Sequence, residues 1–286
     1  MALECNDTLF LLVTCSMDTS RQLLADRVAT NLVAQNRNLR FFQNLVVFDN
    51  ASRYETDPAL LQNVAVNVRA RENVGYWSAI NWTLEHHEEL LGRSFSYIYI
   101  IESDLIHYDM NRLAAAERFL DDTDEAGAVR TQEFSVRYRI LYNKRWARLP
   151  FAKRRSWVAQ YNAVTGEPVW FRKQDPAERI YLSNFHTKLP ALNRLDAVQD
   201  IFSELRHVDR FTEMDFFRAY HTRHPLVGLL DGGIFRSYGN DSDEQIVTGS
   251  YSDSDHMKRI GYQPTREAKI GDAEVDVLHS PVGSTV

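Results

Sequence analysis

The sequence predicts an α/β protein with a mostly parallel, doubly wound sheet. Three observations predict it: continuous apolar runs, helical periodicities between them, and polar residues where each run ends. The 286-residue chain is 44% hydrophobic and 25% charged, which is typical of globular proteins. No linker rich in Pro, Gly or Ser divides it. We therefore expect a single domain over 1–286, with a ligand-binding half at 1–127 and a second half at 128–286.

The first hundred residues alternate strands and helices. Residues 8–15 are apolar and β-branched, as in a strand buried on both faces. Asp18 and Thr19 then offer a cap for a helix that carries Leu24, Val28 and Leu32 at helical spacing. Further strands are predicted over 45–48, 64–68 and 97–101, with a helix over about 78–91. Short strands separated by such helices build parallel βαβ units.

The second half loses this alternation between about residues 128 and 210. Strands are predicted over 169–171 and 180–182, and helices over 195–205 and 211–220. Residues 237–255 are rich in Gly, Ser and Asp and indicate a loop.

Composition and charge exclude several classes of protein. Lys and Arg total 33 against 39 Asp and Glu, a net charge of −6 that argues against a nucleic-acid partner. No apolar run is long enough for a membrane span, and the N-terminus does not resemble a secretory signal. The two cysteines, Cys5 and Cys15, cannot form a disulfide framework. These features predict a cytoplasmic protein.

Acidic and polar residues follow the predicted strands at one edge of the sheet. In open parallel sheets, ligands bind beyond the carboxyl ends of the strands. Glu102 and Asp104 follow the fourth strand two residues apart, so that both carboxylates face the same side of an extended chain. Asp49 ends the second strand. Such carboxylates suit Mg²⁺ or Mn²⁺ bound together with substrate phosphates.

Several motifs resemble the inverting nucleotide-sugar glycosyltransferases of GT-A fold. The second strand ends in Val-Val-Phe-Asp-Asn-Ala-Ser over 46–52. A stretch of the N-x-G-x-x-x-A-x-N type follows the third strand, at Asn73, Gly75, Ala79 and Asn81. Glu102-Ser103-Asp104 resembles the relaxed variants of the metal-binding D-x-D of this family. The resemblance covers about residues 8–105 and is fainter around 212–218.

The resemblance implies a function and its partners. It implies transfer of a hexose from a UDP- or GDP-linked donor to a glycan or lipid-linked acceptor, with inversion, as in polysaccharide biosynthesis. It also implies a divalent metal, Mn²⁺ or Mg²⁺, held by Asp104 with help from Glu102. Because some members complete the metal site with a late histidine, His279 is a further candidate ligand.

The resemblance also assigns residues to the donor nucleotide. Asp49 would accept hydrogen bonds from the base or the ribose, and Thr14 and Ser16 would line the pocket, with Asn73, Gly75 and Asp104. Arg71 would contact the base or a phosphate; the alternative is a guanidinium on the protein surface.

The catalytic base is predicted from a second acidic pair. The family carries two adjacent acids and an arginine on a helix that faces the acceptor, which resembles Glu213, Asp215 and Arg218 here. We favour Asp215 as the base because it keeps the spacing to Arg218, with Glu213 second. The alternative is a solvated acidic helix start.

A basic aromatic segment is not explained by the resemblance. Residues 134–166 contain no Asp or Glu but eight Lys or Arg residues, and aromatic residues recur every four positions: Phe134, Tyr138, Tyr142 and Trp146. Three interpretations stay open for 134–157: a peripheral contact with an anionic membrane, a floor for an acidic glycan, or packed aromatics with solvated charges.

Two other functions remain possible on the sequence. One is an inactive glycan-binding or scaffolding protein of the same fold, which the missing first Asp of a strict D-x-D favours. The other is a sugar nucleotidyltransferase, but residues 16–20 lack the glycine-rich phosphate loop that such an enzyme needs.

Overall fold

The structure is a computed structural model that describes residues 5, 7–36, 39–132, 162, 164–175, 177–185, 190–237 and 268–279. The basic aromatic segment predicted over 134–157 lies outside these residues, as does most of the loop predicted over 237–255.

The described residues form strands and helices in alternation through the first half of the chain. The strands are β1 (Thr8–Thr14), β2 (Leu45–Asp49), β3 (Val66–Ala70), β4 (Tyr97–Glu102), β5 (Leu105–His107), β6 (Ala126–Arg130), β7 (Phe171–Asp175), β8 (Ile180–Ser183), β9 (Ala191–Arg194), β10 (Leu226–Leu230), β11 (Phe235–Ser237) and β12 (Val275–His279). The helices are α1 (Thr19–Gln35), α2 (Leu39–Gln43), α3 (Pro58–Leu61), α4 (Tyr76–Leu91), α5 (Leu113–Asp121), α6 (Leu195–Leu205) and α7 (Glu213–Arg223). None of these helices combines the length and the apolar character needed to cross a membrane.

A mixed, mostly parallel sheet forms the centre of the α/β fold. Its strand order is β12-β3-β2-β1-β4-β9-β6-β10-β8-β7. Among the described strands, only β12, β9 and β8 run against the common direction. Because β9 pairs with both β4 and β6, one sheet includes strands from both halves of the chain. A separate two-stranded sheet pairs β11 with β5.

Every residue of β1 is buried, which explains why its sequence is continuously apolar. Leu9, Leu11 and Val13 pack into a core on one face with α4, α6 and α7. Phe10 and Leu12 pack into a second core on the other face with α1, α2 and α5. A strand covered by helices on both faces has no solvent-facing side chains, so the period-two alternation of polar residues is lost.

The strand order changes direction at β1, and this creates a crevice. From β1 the chain moves outward through β2 to β3, and then returns to place β4 on the other side of β1. Helix α1, which follows β1, packs on one face of the sheet, whereas α4, which returns the chain from β3 to β4, packs on the other. Such a switch point is where open α/β sheets bind ligands.

Candidate functional site

A cavity of about 600 Å³ opens at this switch point, at the carboxyl edge of the sheet. Residues that follow β1, β2, β3 and β4 all contribute to its wall, together with one residue of α1 and two from the C-terminal region. The lining residues used below are Thr14, Cys15, Arg21, Asn50, Asn73, Gly75, Tyr76, Trp77, Glu102, Asp104, Ala268 and Lys269. The predicted site residues Thr14, Asn73, Gly75, Glu102 and Asp104 are thus brought together.

Two asparagine side chains fix the loops on the β2 and β3 side of the cavity. The Asn50 amide nitrogen donates to Asn73 Oδ1 over 3.0 Å, and Asn50 Oδ1 accepts from the Val74 backbone N–H. Asn73 Oδ1 also accepts from the Gly75 N–H at 2.9 Å. The Asn73 amide nitrogen donates to Cys15 Sγ over 3.4 Å, so both ends of the Asn73 amide are engaged within the protein.

Gly75 sets the start of α4 at the cavity. The φ angle of Gly75 is +86°, a backbone conformation that residues other than glycine rarely adopt. Gly75 is the N-cap residue of α4 and forms no side-chain hydrogen bond to the helix. The first backbone N–H groups of α4 therefore lie at the cavity without a capping side chain from the N-cap residue. Uncapped N–H groups and the helix dipole favour a negatively charged group there.

The acids after β4 form the other wall. Glu102 is the last residue of β4, and the Tyr76 hydroxyl donates to its Oε1 over 3.4 Å. Asp104 forms no hydrogen bond to another residue of the described ranges. Burial raises the pKa of Asp104, and the positive charge of Arg21 opposes that rise. Two carboxylates that line one cavity are the type of ligand that Mg²⁺ and Mn²⁺ bind.

Asp49 and Ser16 lie beside the cavity and are engaged in the turn after β2. Asp49 is buried, its Oδ1 accepts from the Ser52 N–H at 2.8 Å, and its Oδ2 is 3.7 Å from Arg69 Nε. The Ser52 hydroxyl in turn accepts from the Ser16 N–H. These bonds hold Ala51 at a φ of +56° and tie the β2 turn to the β1 loop. Neither Asp49 nor Ser16 is among the residues that line the cavity, and their contacts with a nucleotide stay predictions.

Thr14, by contrast, lines the cavity. Its buried Oγ1 has no hydrogen-bond partner in the part of the chain that the structure describes. A contact between this hydroxyl and a nucleotide stays a prediction.

Arg71 is not brought to the cavity. Its guanidinium is exposed and pairs with Glu274 and Asp276 of the C-terminal region, at 3.5 and 3.2 Å. This is the surface alternative that the sequence left open. Because solvent screens these exposed charges, the pairs are expected to contribute little to stability.

A substitution tests this placement of Arg71. We expect Arg71→Ala to change nucleotide affinity less than about twofold, because the side chain pairs across the outer strands instead of lining the cavity. Isothermal titration with UDP and GDP in the presence of Mn²⁺ measures the effect. A large loss of affinity would show that Arg71 turns toward the nucleotide when it binds.

His279 is also separated from the acids. The register of β12 against β3 places Val275 opposite Ala70, at the carboxyl end of β3, and His279 opposite Val66, at its amino end. The backbone of His279 therefore lies at the edge of the sheet opposite to Glu102 and Asp104. The prediction of His279 as a third metal ligand does not fit this register.

No group of three His, Cys, Asp or Glu residues in the described ranges is arranged to hold a metal by itself. His107 is fully buried, with Nε2 3.1 Å from the Tyr99 hydroxyl, and burial lowers its pKa to about 3. Among the described residues that line this cavity, Glu102 and Asp104 are the carboxylates that could contact a metal.

The two acids at the start of α7, Glu213 and Asp215, have different surroundings. Asp215 forms a capping box with Thr212: Asp215 Oδ2 accepts from the Thr212 N–H, and the Asp215 N–H donates to the Thr212 hydroxyl. These bonds, with the charge of Arg218, lower the pKa of Asp215. Glu213 is the exposed first residue of α7 and forms no hydrogen bond or ion pair with the described residues.

The start of α7 contacts the cavity wall. The Phe211 ring packs against Trp77 at 5.5 Å, and the Phe211 backbone pairs with Ala268, next to Lys269. The negative charge of Glu213 also contributes to raising the pKa of the Tyr76 phenol, after burial and the charge of Glu102. Of the two acids, Glu213 is therefore the one whose charge acts on a residue of the cavity wall, Tyr76.

Sequence reasoning missed Arg21, Tyr76 and Lys269. Tyr76 directly follows Gly75 of the recognised motif, so that signal was available. Arg21 belongs to the first turn of α1, where its backbone N–H is capped by Asp18. Lys269 has no sequence signal: it reaches the cavity because Ser78 bonds the Lys269 carbonyl and the Gly271 N–H, which holds this segment over α4.

The comparisons with known proteins find structural similarity only. No family model matches the chain, and no curated protein matches its sequence. Among solved structures, S. aureus TarS 1–349 has 11% identity and a TM-score of 0.47, over 83% of this chain and 62% of that one. This chain thus spans about three fifths of TarS 1–349.

Two further similar structures are named as sugar-transfer enzymes. Glucosyl-3-phosphoglycerate synthase from Mycobacterium tuberculosis, in complex with Mn²⁺ and UDP, has 14% identity and a TM-score of 0.41, over 82% of this chain and 74% of that one. The mannosyltransferase PcManGT from Pyrobaculum calidifontis, in complex with GDP-Man and Mn²⁺, has 19% identity and a TM-score of 0.34, over 47% and 38%. These scores are too low to carry the assignment of a function, which depends on the cavity itself.

Proposed function

We propose that this protein is a glycosyltransferase that moves a sugar from a nucleotide-sugar donor to an acceptor hydroxyl, with a divalent metal and with inversion at the anomeric carbon. One observation carries the proposal: residues at the carboxyl ends of four consecutive parallel strands, Glu102 and Asp104 among them, line one cavity at the switch point of the sheet.

The charges of the cavity suit a diphosphate. Arg21 and Lys269 supply two cations, and the uncapped start of α4 supplies backbone N–H groups. Glu102 and Asp104 supply two carboxylates for Mn²⁺ or Mg²⁺, which ordinarily bind one or two carboxylates together with phosphate oxygens. When bound, the metal would offset the charge that develops on the leaving diphosphate.

Glu213 is the base in this proposal. Its carboxylate would take the proton of the acceptor hydroxyl while the hydroxyl oxygen forms a bond to the anomeric carbon. The bond from that carbon to the diphosphate oxygen breaks in the same displacement, and the nucleoside diphosphate leaves. Asp215, the first choice on the sequence, is engaged with Thr212 and Arg218, and its lowered pKa makes it a weaker base.

The second half of the chain would bind the acceptor, a glycan or a lipid-linked glycan. The start of α7 borders the donor cavity from that half, which supports the division between 1–127 and 128–286.

A membrane contact through 134–157 stays a proposal from sequence, and sedimentation with anionic liposomes at low salt tests it.

Isothermal titration with UDP and GDP, each with and without Mn²⁺, tests the proposed function. We expect one nucleotide to bind, with an affinity that increases at least about tenfold when Mn²⁺ is present. Arg71→Ala is the matched control, because Arg71 lies outside the cavity. If neither nucleotide binds under any condition, a glycan-binding or scaffolding protein becomes the better account.

Metal-dependent binding should weaken at acidic pH. Mn²⁺ needs the ionised carboxylate, and burial raises the pKa of Asp104, so protonation competes with the metal at a higher pH than for an exposed Asp. Affinity for Mn²⁺ measured between about pH 4 and pH 8 should therefore fall as the pH is lowered. In Asp104→Asn this part of the pH dependence should be absent; its persistence there would assign it to another group.

A further inference from the structure

Tyr76 is the lining residue that joins the acids of the cavity to α4. We infer that Tyr76 is a positioning residue, which holds the Glu102 carboxylate in the orientation that lets Glu102 and Asp104 address one cation. This inference rests on the proposed function, because it concerns the same metal site.

The contact is direct, and the tyrosine is held in place. The phenol donates to Glu102 Oε1 over 3.4 Å. Tyr76 is the first residue of α4, and its position is set by the left-handed conformation of Gly75. Its ring meets Trp77 edge-on at 5.7 Å, and Trp77 packs in turn against the aromatic rings of Phe202, Phe211 and Phe216. The donor therefore belongs to a packed part of the structure.

Glu102 needs such a partner more than an aspartate would. This chain has Glu where the strict D-x-D has Asp, and the extra methylene adds a rotatable bond. Fixing a flexible glutamate side chain costs rotamer entropy. At 3.4 Å the hydrogen bond from Tyr76 to Glu102 is long and therefore weak. Its role is to select one orientation of the Glu102 carboxylate. Partners of this kind around metal ligands change metal affinity by about 10–100-fold.

The phenol remains a donor throughout the working pH range. Burial and the neighbouring charges of Glu102, Glu213 and Asp104 raise the pKa of Tyr76 well above its ordinary value. A neutral phenol beside three carboxylates donates a hydrogen bond, whereas a phenolate would repel them.

Tyr97 offers a matched control on the strand that carries Glu102. Its phenol also donates to a carboxylate, that of Asp121. Tyr97 is the first residue of β4, however, so it lies at the amino end of the strand, whereas the cavity lies at the carboxyl end. Tyr97→Phe therefore removes the same kind of bond without touching the cavity.

The test measures Mn²⁺ affinity by electron paramagnetic resonance, with and without saturating UDP or GDP, and thermal unfolding in parallel. We expect Tyr76→Phe to weaken Mn²⁺ binding by about tenfold and Tyr97→Phe by less than about twofold. In a Glu102→Asp background, Tyr76→Phe should have less than about a twofold effect, because the shorter side chain does not reach the phenol.

Three outcomes are decisive. Wild-type protein that binds no Mn²⁺ in the presence of either nucleotide overturns the proposed function. Wild-type protein that binds Mn²⁺ and loses it in Glu102→Gln, while Tyr76→Phe binds normally, overturns the positioning role alone. An equal loss from Tyr76→Phe in the wild-type and Glu102→Asp backgrounds also overturns it, because the tyrosine would then act on the fold in general. If Tyr76→Phe does not fold, Tyr76→Leu, which also lacks the hydroxyl donor, takes its place in the same comparison.

Discussion

Replacing Asp104 with Asn is expected to abolish metal-dependent nucleotide binding and leave the fold intact. The change removes one of the two carboxylates that would hold the metal, so Mn²⁺ affinity should fall at least about 100-fold. Asp104 makes no hydrogen bond to another described residue, and therefore its replacement leaves no partner unsatisfied within that part of the chain.

The effect on stability has a definite sign. The pKa of Asp104 is raised in the folded protein, so folding disfavours its ionised form, and this destabilisation is present above the folded pKa. At neutral pH, Asp104→Asn should then be at least as stable as the wild type in thermal unfolding. Donor hydrolysis within a few-fold of the wild type would show that the metal lies elsewhere, and a strong loss of stability would show that Asp104 has a structural role.

Glu213→Gln is expected to reduce sugar transfer by about 10²–10⁴-fold with little change in nucleotide affinity. The amide keeps the shape of the side chain but cannot accept the acceptor proton. The measurement is the turnover of a donor that binds in the titration, with an acceptor identified by a glycan screen.

Asp215→Asn is the comparison that separates the two acids. It weakens the capping box with Thr212 and the pair with Arg218, which should cost about 0.3–1.5 kcal/mol of stability. Transfer at a temperature where both variants are folded should change much less than for Glu213→Gln. If Asp215→Asn is the inactive variant and Glu213→Gln is active, the assignment of the base is wrong by two residues.

The sequence predicted the elements whose signal is local. β1, β2 and β4 lie within a residue or two of their predicted bounds, because each is a continuous apolar run between polar residues. The helix predicted over 195–205 has the same bounds as α6 in the structure, because its apolar residues recur at helical spacing. Asp18 caps α1 through the Arg21 N–H, as its position before the helix predicted.

Elements that depend on distant partners were missed. β6 and β10 lie next to each other although about a hundred residues separate them, and β9 is inserted antiparallel between β4 and β6. The short sequences of β6 and β10 carry glycines for a reason visible only in three dimensions. A Cβ on Gly127 would lie 2.4 Å from His224 Cβ, and one on Gly228 would lie 2.7 Å from the Phe119 ring. These glycines let neighbouring side chains pack closely on the sheet, whereas in the sequence they weaken the strand pattern.

The candidate site divides in the same way. Strand-end residues such as Thr14, Asn73 and Asp104 were predictable because the carboxyl ends of parallel strands share one edge. β12 comes from the far end of the chain and pairs with β3 in the antiparallel direction. This direction places the backbone of His279 at the amino end of β3, away from the acids, and it also brings Asp276 to Arg71. Neither result is visible in the local sequence. The sequence left a solvated acidic helix start as the alternative to a catalytic role, and the capping of α7 by Asp215 is visible only in its hydrogen bonds to Thr212.

The most direct test of the proposed metal and donor site is a crystal structure of the protein soaked with Mn²⁺ and UDP or GDP. We expect an anomalous peak for Mn²⁺ that touches carboxylate oxygens of Glu102 and Asp104, with the diphosphate between them and the start of α4. Ordered nucleotide bound elsewhere, or a metal peak away from these two carboxylates, would contradict it.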